Sequence, residues 1–255
     1  MNLPRIGLVS SDLDGTLLGD PLATLRFAEA WRSIPEIARP LLVYNTGRSV
    51  ADTLQVVAAR GLPTADFIIG GLGTELHGVD DLDRETYRAQ LDPRWNLHAV
   101  ERIVRTHPGV RGQPIEFQNP YKSSWYWSRA HPADLDRLRR ELRWSGHHVK
   151  LVYSCAYFLD ILPQRAGKGN ALEWLRHRLG TPVKRILVAG DTGNDVDMFL
   201  LPRVNGIVVQ NALPELLAVV AKTNTYVARQ PMADGVIEGL SHYGVLATEA
   251  DALRV

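Results

Sequence analysis

Ile6-Gly-Leu-Val-Ser-Ser-Asp12-Leu-Asp14-Gly15-Thr16 is the stretch that decides the fold. Ile6–Ser10 reads as a short buried strand, and it runs straight into two carboxylates. A parallel strand in an open α/β sheet delivers its last residues to the ligand crevice. Asp12 at the strand end and Asp14 two residues on can share that crevice once the chain leaves the sheet, and Gly15 permits the tight turn needed there. Two close carboxylates repel unless a cation or a shared proton offsets them. The pair therefore suggests a hard divalent ion such as Mg²⁺. The Asp-x-Asp of a glycosyltransferase and a plain Asp/Gly turn are alternative readings. An EF-hand does not fit, because Gly15 comes too early and a strand precedes the loop.

Outward from this motif, apolar runs alternate with helix-length segments. Further strands are expected at Leu41–Tyr44, Phe67–Ile69, Ile186–Ala189 and Gly206–Val209. Helices are expected at Ser49–Arg60, Lys168–Leu179, Asp195–Leu200 and Leu213–Ala221. Strands interleaved with helices imply an α/β fold, a doubly wound parallel sheet covered on both faces. The middle of the chain is different. It is charged, carries Trp95, Trp125, Trp127 and Trp144, and has an amphipathic segment, Asp134–Trp144, between strand-like Ser123–Trp127 and Val149–Tyr153. It reads as an inserted α+β unit. Trp125 and Trp127 share one strand face, which suits either stacking on a sugar or packing beneath the helix.

Three more elements sit at strand ends or helix starts. Gly190-Asp191-Thr-Gly-Asn194-Asp195 repeats the strand-end acid of Asp12. Were the two strands neighbours, Asp12 and Asp191 would clamp one cation, while Asn194 or Asp195 caps the next helix. Asn45-Thr46-Gly47-Arg48-Ser49 offers a hydroxyl and backbone amides at a helix start, an arrangement suited to an anion, with Arg48 as a charged fork. An ordinary helix cap explains it equally well. Gly167-Lys168-Gly169 opens a helix with a lysine, which the helix dipole disfavours unless something anionic compensates. It is not a Walker A loop.

The 255 residues carry 29 Lys plus Arg against 28 Asp plus Glu, a net charge of +1. That balance lacks the global basic field of a nucleic-acid binder. No apolar stretch is long enough to span a bilayer. The start, Met1-Asn-Leu-Pro-Arg5, lacks the pattern of a secretory signal, so a cytoplasmic location is expected. The eight histidines show no zinc spacing. The single cysteine, Cys155, lies in an apolar run and reads as a buried structural thiol.

These elements in this order resemble the haloacid dehalogenase (HAD) phosphatase superfamily. Thr46 follows Asp14 by 32 residues and Lys168 follows Thr46 by 122. The long second interval leaves room for a C2-type cap, as in the IIB branch. Gln118-Asn-Pro-Tyr-Lys122-Ser-Ser124-Trp125, Leu159-Asp-Ile-Leu-Pro-Gln-Arg165 and Gly206-Ile-Val-Val-Gln-Asn-Ala212 resemble the sucrose-phosphate phosphatase family, including its mannosylfructose-phosphate phosphatase branch. The resemblance implies a catalytic core over residues 1–80 and 160–255 and a cap over 81–159. It also implies Mg²⁺-dependent hydrolysis of a fructose-containing disaccharide phosphate through an aspartyl-phosphate. Asp12 would be the nucleophile and Asp14 the acid/base, with Thr46 and Lys168 on the phosphoryl group. Asp12, Asp191 and the backbone carbonyl of Asp14 would hold the metal, and Asp195 would orient Lys168 or a metal-bound water. Thr46, Gly47, Arg48, Gln118, Asn119, Lys122, Ser124, Lys168 and Asn194 would contact the sugar phosphate. Another sugar phosphate, such as trehalose 6-phosphate or a hexose phosphate, is the alternative substrate, and a non-catalytic partner of a sugar-phosphate synthase is the alternative function. The expected partners are a small sugar phosphate and that synthase, not nucleic acid or membrane, and the expected state is a monomer.

Overall fold

The computed structural model describes residues 5–221 and 223–246. Met1 to Pro4, where the absence of a signal was read, lie outside them. In chain order the elements are β1 (Leu8–Ser11), α1 (Pro21–Ser33), β2 (Leu41–Asn45), α2 (Val50–Arg60), β3 (Phe67–Gly70), β4 (Glu75–His77) and α3 (Asp81–Leu91). Then come α4 (Leu97–Val104), β5 (Val110–Gly112), β6 (Ser123–Trp127), α5 (Pro132–Trp144), β7 (Val149–Ser154) and β8 (Phe158–Pro163). The chain continues through α6 (Lys168–Arg178), β9 (Ile186–Gly190), α7 (Val196–Phe199), β10 (Asn205–Val208), α8 (Pro214–Val220), β11 (Thr225–Val227) and α9 (Met232–His242).

The main sheet has the order β11-β10-β9-β1-β2-β3-β4 and is parallel except for β4. Its strands are apolar runs because both faces are covered. Leu8, Val43, Val188 and Val208 enter the hydrophobic cluster on one face; Val9, Leu42, Leu187 and Ile207 enter the cluster on the other. β1 pairs with β9 in the register Ser11 opposite Ala189. The two expected strands are thus neighbours, and they bring Asp12 and Asp191 side by side.

The insert is a four-stranded antiparallel sheet, β5-β6-β8-β7. Val100 and Val104 of α4 and Leu138 and Leu142 of α5 pack on it with Trp125, Trp127, Leu159 and Ile161. Trp125 is 2% and Trp127 6% exposed, so both belong to the cap's own core. This settles their role as packing.

The expected cap edges move at both ends. Charged α3 was placed in the cap. Yet its Tyr87 and Leu91 are buried against the core with Leu172 and Leu175, and the Tyr87 ring lies 5.1 Å from that of Trp174. Residues 160–163 were placed in the core, yet they pair with β6 and β7 in the cap sheet. Cys155 is also corrected, because it is exposed at the β7–β8 turn. An apolar run does not show where a hairpin will turn.

That turn holds Cys155 at φ 54° and Ala156 at φ 48°, both left-handed. Side chains with a Cβ pay about 1 kcal/mol or more there. Ala156→Gly is expected to stabilise the protein by about 1 kcal/mol, raising Tm by roughly 2–4 °C in thermal denaturation. An unchanged or lower Tm would show that the turn carries no such strain.

Candidate active site

Asp12 leaves the end of β1, where its N–H donates to the Ala189 carbonyl of β9 at 3.0 Å. Asp191 leaves the end of β9. Asp195 follows in a short 3₁₀ turn, Gly193–Asp195. Ligand oxygens from Asp12, Asp191 and Asp195 lie within 4.8 Å of one another, and all three residues are buried. Gly15 (φ 83°) lets the loop fold over this cluster, since a Cβ there would collide with the Asp191 carboxylate.

Lys168, first residue of α6, is the counter-ion. Its Nζ donates to Asp12 Oδ1 at 2.5 Å and to Asp195 Oδ1 at 2.6 Å, and its side chain is wholly buried. The compensating anions expected for a lysine at a helix start are therefore these two carboxylates. Asp195 is fully occupied: its Oδ2 accepts the N–H groups of Asp191 and Thr192 at 3.0 and 3.1 Å. It fixes the loop and the lysine together. Asp12 and Asp191 keep unused carboxylate capacity. Thr16 Oγ1, which sequence reasoning had not singled out, donates to Asp191 Oδ1 at 3.3 Å.

Three carboxylates face one ammonium, and the electrostatics follow. Burial, with Asp195 and Asp191 adding to it, raises the Asp12 carboxyl well above its usual range, although Lys168 opposes this. Burial, then Asp195, pushes Asp191 up to about 7. Burial disfavours the Lys168 ammonium, but Asp12 and then Asp195 outweigh it and keep it firmly charged.

Asp14 is not in this cluster. Its half-exposed carboxylate is forked by Arg48, Nε at 2.7 Å and Nη2 at 2.6 Å, while Arg48 Nη1 bonds Asp52 at 2.7 Å. Arg48, expected on the substrate, is thus held by two carboxylates. Thr46 is buried, and its hydroxyl accepts the Arg48 N–H at 3.2 Å.

The cap residues divide by what they touch. Gln118 is spent on the cap's own backbone, bonding Gln113 O, Ser124 O and Ser124 N. Ser124 Oγ donates to Asp160 at 2.5 Å. Asn119 Nδ2 reaches the core, bonding Thr74 Oγ1 at 2.8 Å and Glu75 Oε1 at 2.9 Å, while Glu75 Oε2 accepts the Val50 N–H that opens α2. Lys122, 6% exposed, donates to the Gly47 carbonyl at 3.2 Å. Lys122 therefore ties one cap turn to the Thr46 loop, and Asn119 ties the same turn to Thr74 and Glu75. Asn194 lines a cleft beside Lys168. Glu75 gave no signal in the sequence, because only the fold brings it to Asn119, whereas Asp52 lies four residues from Arg48, a local spacing that could have flagged it.

With this geometry in place, similarity to known proteins is informative. The family model for sucrose-6F-phosphate phosphohydrolase matches residues 5–244. The chain belongs to that family. It is 41% identical over 244 residues to mannosylfructose-phosphate phosphatase of Agrobacterium fabrum (strain C58), covering 93% of this chain and 97% of that protein. It is 35% identical over 254 residues to probable sucrose-phosphatase 2 of Arabidopsis thaliana; this covers 94% of the chain but 60% of the longer plant protein. The crystal structure of the sucrose-phosphatase from Synechocystis sp. PCC6803, in complex with sucrose and phosphate, superposes with a TM-score of 0.85 at 29% identity, covering 96% of this chain and 99% of that one. The fold is that of the HAD superfamily, shared with a subclass IIB sugar phosphatase. This family member is a phosphoric monoester hydrolase, a sugar phosphatase of HAD type. Among the described residues, no helix is long and apolar enough to cross a membrane.

Proposed function

We propose that the chain hydrolyses the phosphomonoester of a fructose-containing disaccharide phosphate, mannosylfructose-phosphate or sucrose 6-phosphate, with Mg²⁺ and through an aspartyl-phosphate. The observation that carries this reading is the Asp12 carboxylate, buried against Lys168 and beside Asp191. Asp12 attacks phosphorus as the bond to the sugar oxygen breaks, which divides the hydrolysis into two easier displacements. Lys168 holds phosphoryl oxygens, joined by the Thr46 hydroxyl and nearby backbone amides. Asp14 gives a proton to the leaving oxygen and later takes one from water, after Arg48 has released it. The hydroxyl-rich leaving group lies under the cap, where Lys122 and the Asn119 turn close over it.

The donor set fits Mg²⁺: oxygens only, with more carboxylates than Lys168 neutralises. Asp12 and Asp191 hold the ion directly, and Asp195, whose oxygens are already engaged, orients the loop around it. When bound, the ion offsets charge on the transferring phosphoryl group.

This reading gives a pH dependence. An unfolded Asp titrates near 4, whereas burial and then Asp195 lift folded Asp191 to about 7. Between these values the ion-free folded protein retains a proton that the unfolded chain has lost. Its stability therefore falls as pH rises through that window. Mg²⁺ must displace the proton, so its apparent affinity should rise by up to about tenfold per pH unit between pH 5 and 7. Calorimetric titration of Mg²⁺ at several pH values checks this, and a flat profile would contradict it.

A phosphate-release screen tests the function: mannosylfructose-phosphate, sucrose 6-phosphate, trehalose 6-phosphate and hexose phosphates, each with Mg²⁺. A disaccharide phosphate containing fructose is expected to lead. A hexose phosphate turned over as fast would overturn the disaccharide reading.

A further inference from the structure

A second polar cluster lies in the cleft between cap and core, beside the charged centre but not part of it. Along β7, Val149, Leu151 and Tyr153 pack into the cap's hydrophobic cluster. Alternation along the strand turns Lys150 to the opposite face. There its Nζ donates across the junction to Asp197 Oδ2 of α7 at 2.5 Å. Gly167 lies against this pair, where any Cβ would collide with the Lys150 ammonium and crowd the Asp197 carboxylate. The pair borders a cavity of about 200 Å³ that also touches Val152, Asn194 and Lys168. The cavity thus extends from the lysine that grips Asp12 to the ion pair that joins cap and core.

Two buried acceptors stand out at this place. Asp197 Oδ1 and Asn194 Oδ1 have no hydrogen-bond partner. Buried polar atoms are almost always paired, so two orphans on residues that line one cavity point to a ligand that brings donors. A phosphate dianion has only acceptors to offer them, whereas sugar hydroxyls donate. Lys150 also neutralises Asp197, so a carboxylate can stay this close to an incoming phosphate monoester without repelling it.

We propose that Asp197 and Asn194 form a hydroxyl-binding subsite for the sugar leaving group, and that Lys150, carried by the cap, is the residue that positions Asp197. The subsite rests on the sugar-phosphatase reading above and adds to it two residues, Asp197 and Lys150, that the sequence did not single out. The subsite is assembled from both parts of the chain, because Lys150 comes from β7 of the cap sheet and Asp197 from α7 of the core. A leaving group without hydroxyls leaves both acceptors unpaired and gains nothing there.

The test is a selectivity ratio, kcat/KM for mannosylfructose-phosphate or sucrose 6-phosphate over kcat/KM for para-nitrophenyl phosphate, whose leaving group lacks sugar hydroxyls. In Asp197→Asn the ratio should fall about 10- to 100-fold, as loss of a hydrogen bond to a charged acceptor predicts. Most of the change should appear in KM for the sugar phosphate. Lys150→Met should lower the ratio in the same direction, and Lys150→Arg should restore most of it. A ratio within about twofold of wild type in both Asp197→Asn and Lys150→Met overturns the subsite. So does an equal loss on both substrates. If the wild type releases no phosphate from any sugar phosphate, the phosphatase reading fails separately, and calorimetry with unphosphorylated sucrose decides the subsite alone. Binding at least tenfold weaker in Asp197→Asn supports it; equal binding, or none to wild type, overturns it.

Discussion

Asp12→Asn protein should release phosphate at least about 10⁴-fold more slowly than wild type, while melting at the same temperature or higher. The first half follows from the reaction: a carboxamide is a poor nucleophile, and losses of this size accompany removal of a nucleophile that acts as part of a unit. The second half follows from the environment. Asp12 is 4% exposed and shares its neighbourhood with Asp191 and Asp195, against the single ammonium of Lys168. Burial first, and the two acids next, disfavour its ionised form. Replacing it with a neutral isostere relieves repulsion while keeping an acceptor for Lys168. A substitution that silences an enzyme and does not weaken its fold marks a residue kept for chemistry. Phosphate release and thermal melting, measured on one preparation, check both halves. A variant that is inactive only because it is unfolded would refute the argument. Retained binding of a sugar phosphate together with lost turnover would separate catalysis from the role of a passive binding partner.

Lys168→Met should have the opposite balance, losing both activity and stability. Methionine fills similar volume but leaves Asp12 and Asp195 buried with no counter-charge. Breaking a buried ion pair from one side costs about 3–5 kcal/mol. For a chain of this size that corresponds to a Tm roughly 6–20 °C lower. Activity should fall about 10²- to 10³-fold or more, the usual consequence of deleting one preorganised charge on a transferring group. The sign of the pH dependence identifies the cause. The Asp12 carboxyl, already raised by burial and no longer opposed by the lysine, regains its proton as pH falls. The deficit relative to wild type should therefore be largest near pH 8 and shrink toward pH 6. Denaturation curves at the two values test this, and a deficit independent of pH would point to packing instead of charge.

Much of the centre was legible because it is written in short, local patterns. A buried run ending in Asp12 and a second ending in Asp191 required only that their strands be adjacent, and β1 beside β9 meets that requirement. Lys168 at a helix start announced a missing anion. The helices α1 and α9 were not legible, for opposite reasons. In α1, Leu22 and Leu25 are exposed beside buried Phe27 and Trp31, which blurs the apolar stripe. In α9, Gly235 and Gly239 lower helix propensity, yet a Cβ at either would collide with Gln230 or Ile207. Pairs such as Lys150 with Asp197, or Asn119 with Glu75, are products of the assembled cap and core, and a single sequence carries no trace of them. The tryptophans of β6 show the limit of period-two reasoning. It put both on one face and could not say whether that face met sugar or helix.

The order of strands in the main sheet has a consequence for how the protein is made. β1 and β2 are synthesised early, but the place on the other side of β1 stays empty until β9 emerges, after the whole insert. The insert sheet is drawn from one continuous stretch, Val110–Pro163, and closes on itself before that moment. On the ribosome the whole insert is therefore made while the catalytic half still presents the bare backbone edge of its central strand. An open edge of apolar strand is a template for wrong pairing. The vulnerable interval in the life of this protein runs from the synthesis of β2 until β9 emerges, and a nascent-chain aggregation assay that halts synthesis before and after β9 would find aggregation only before it.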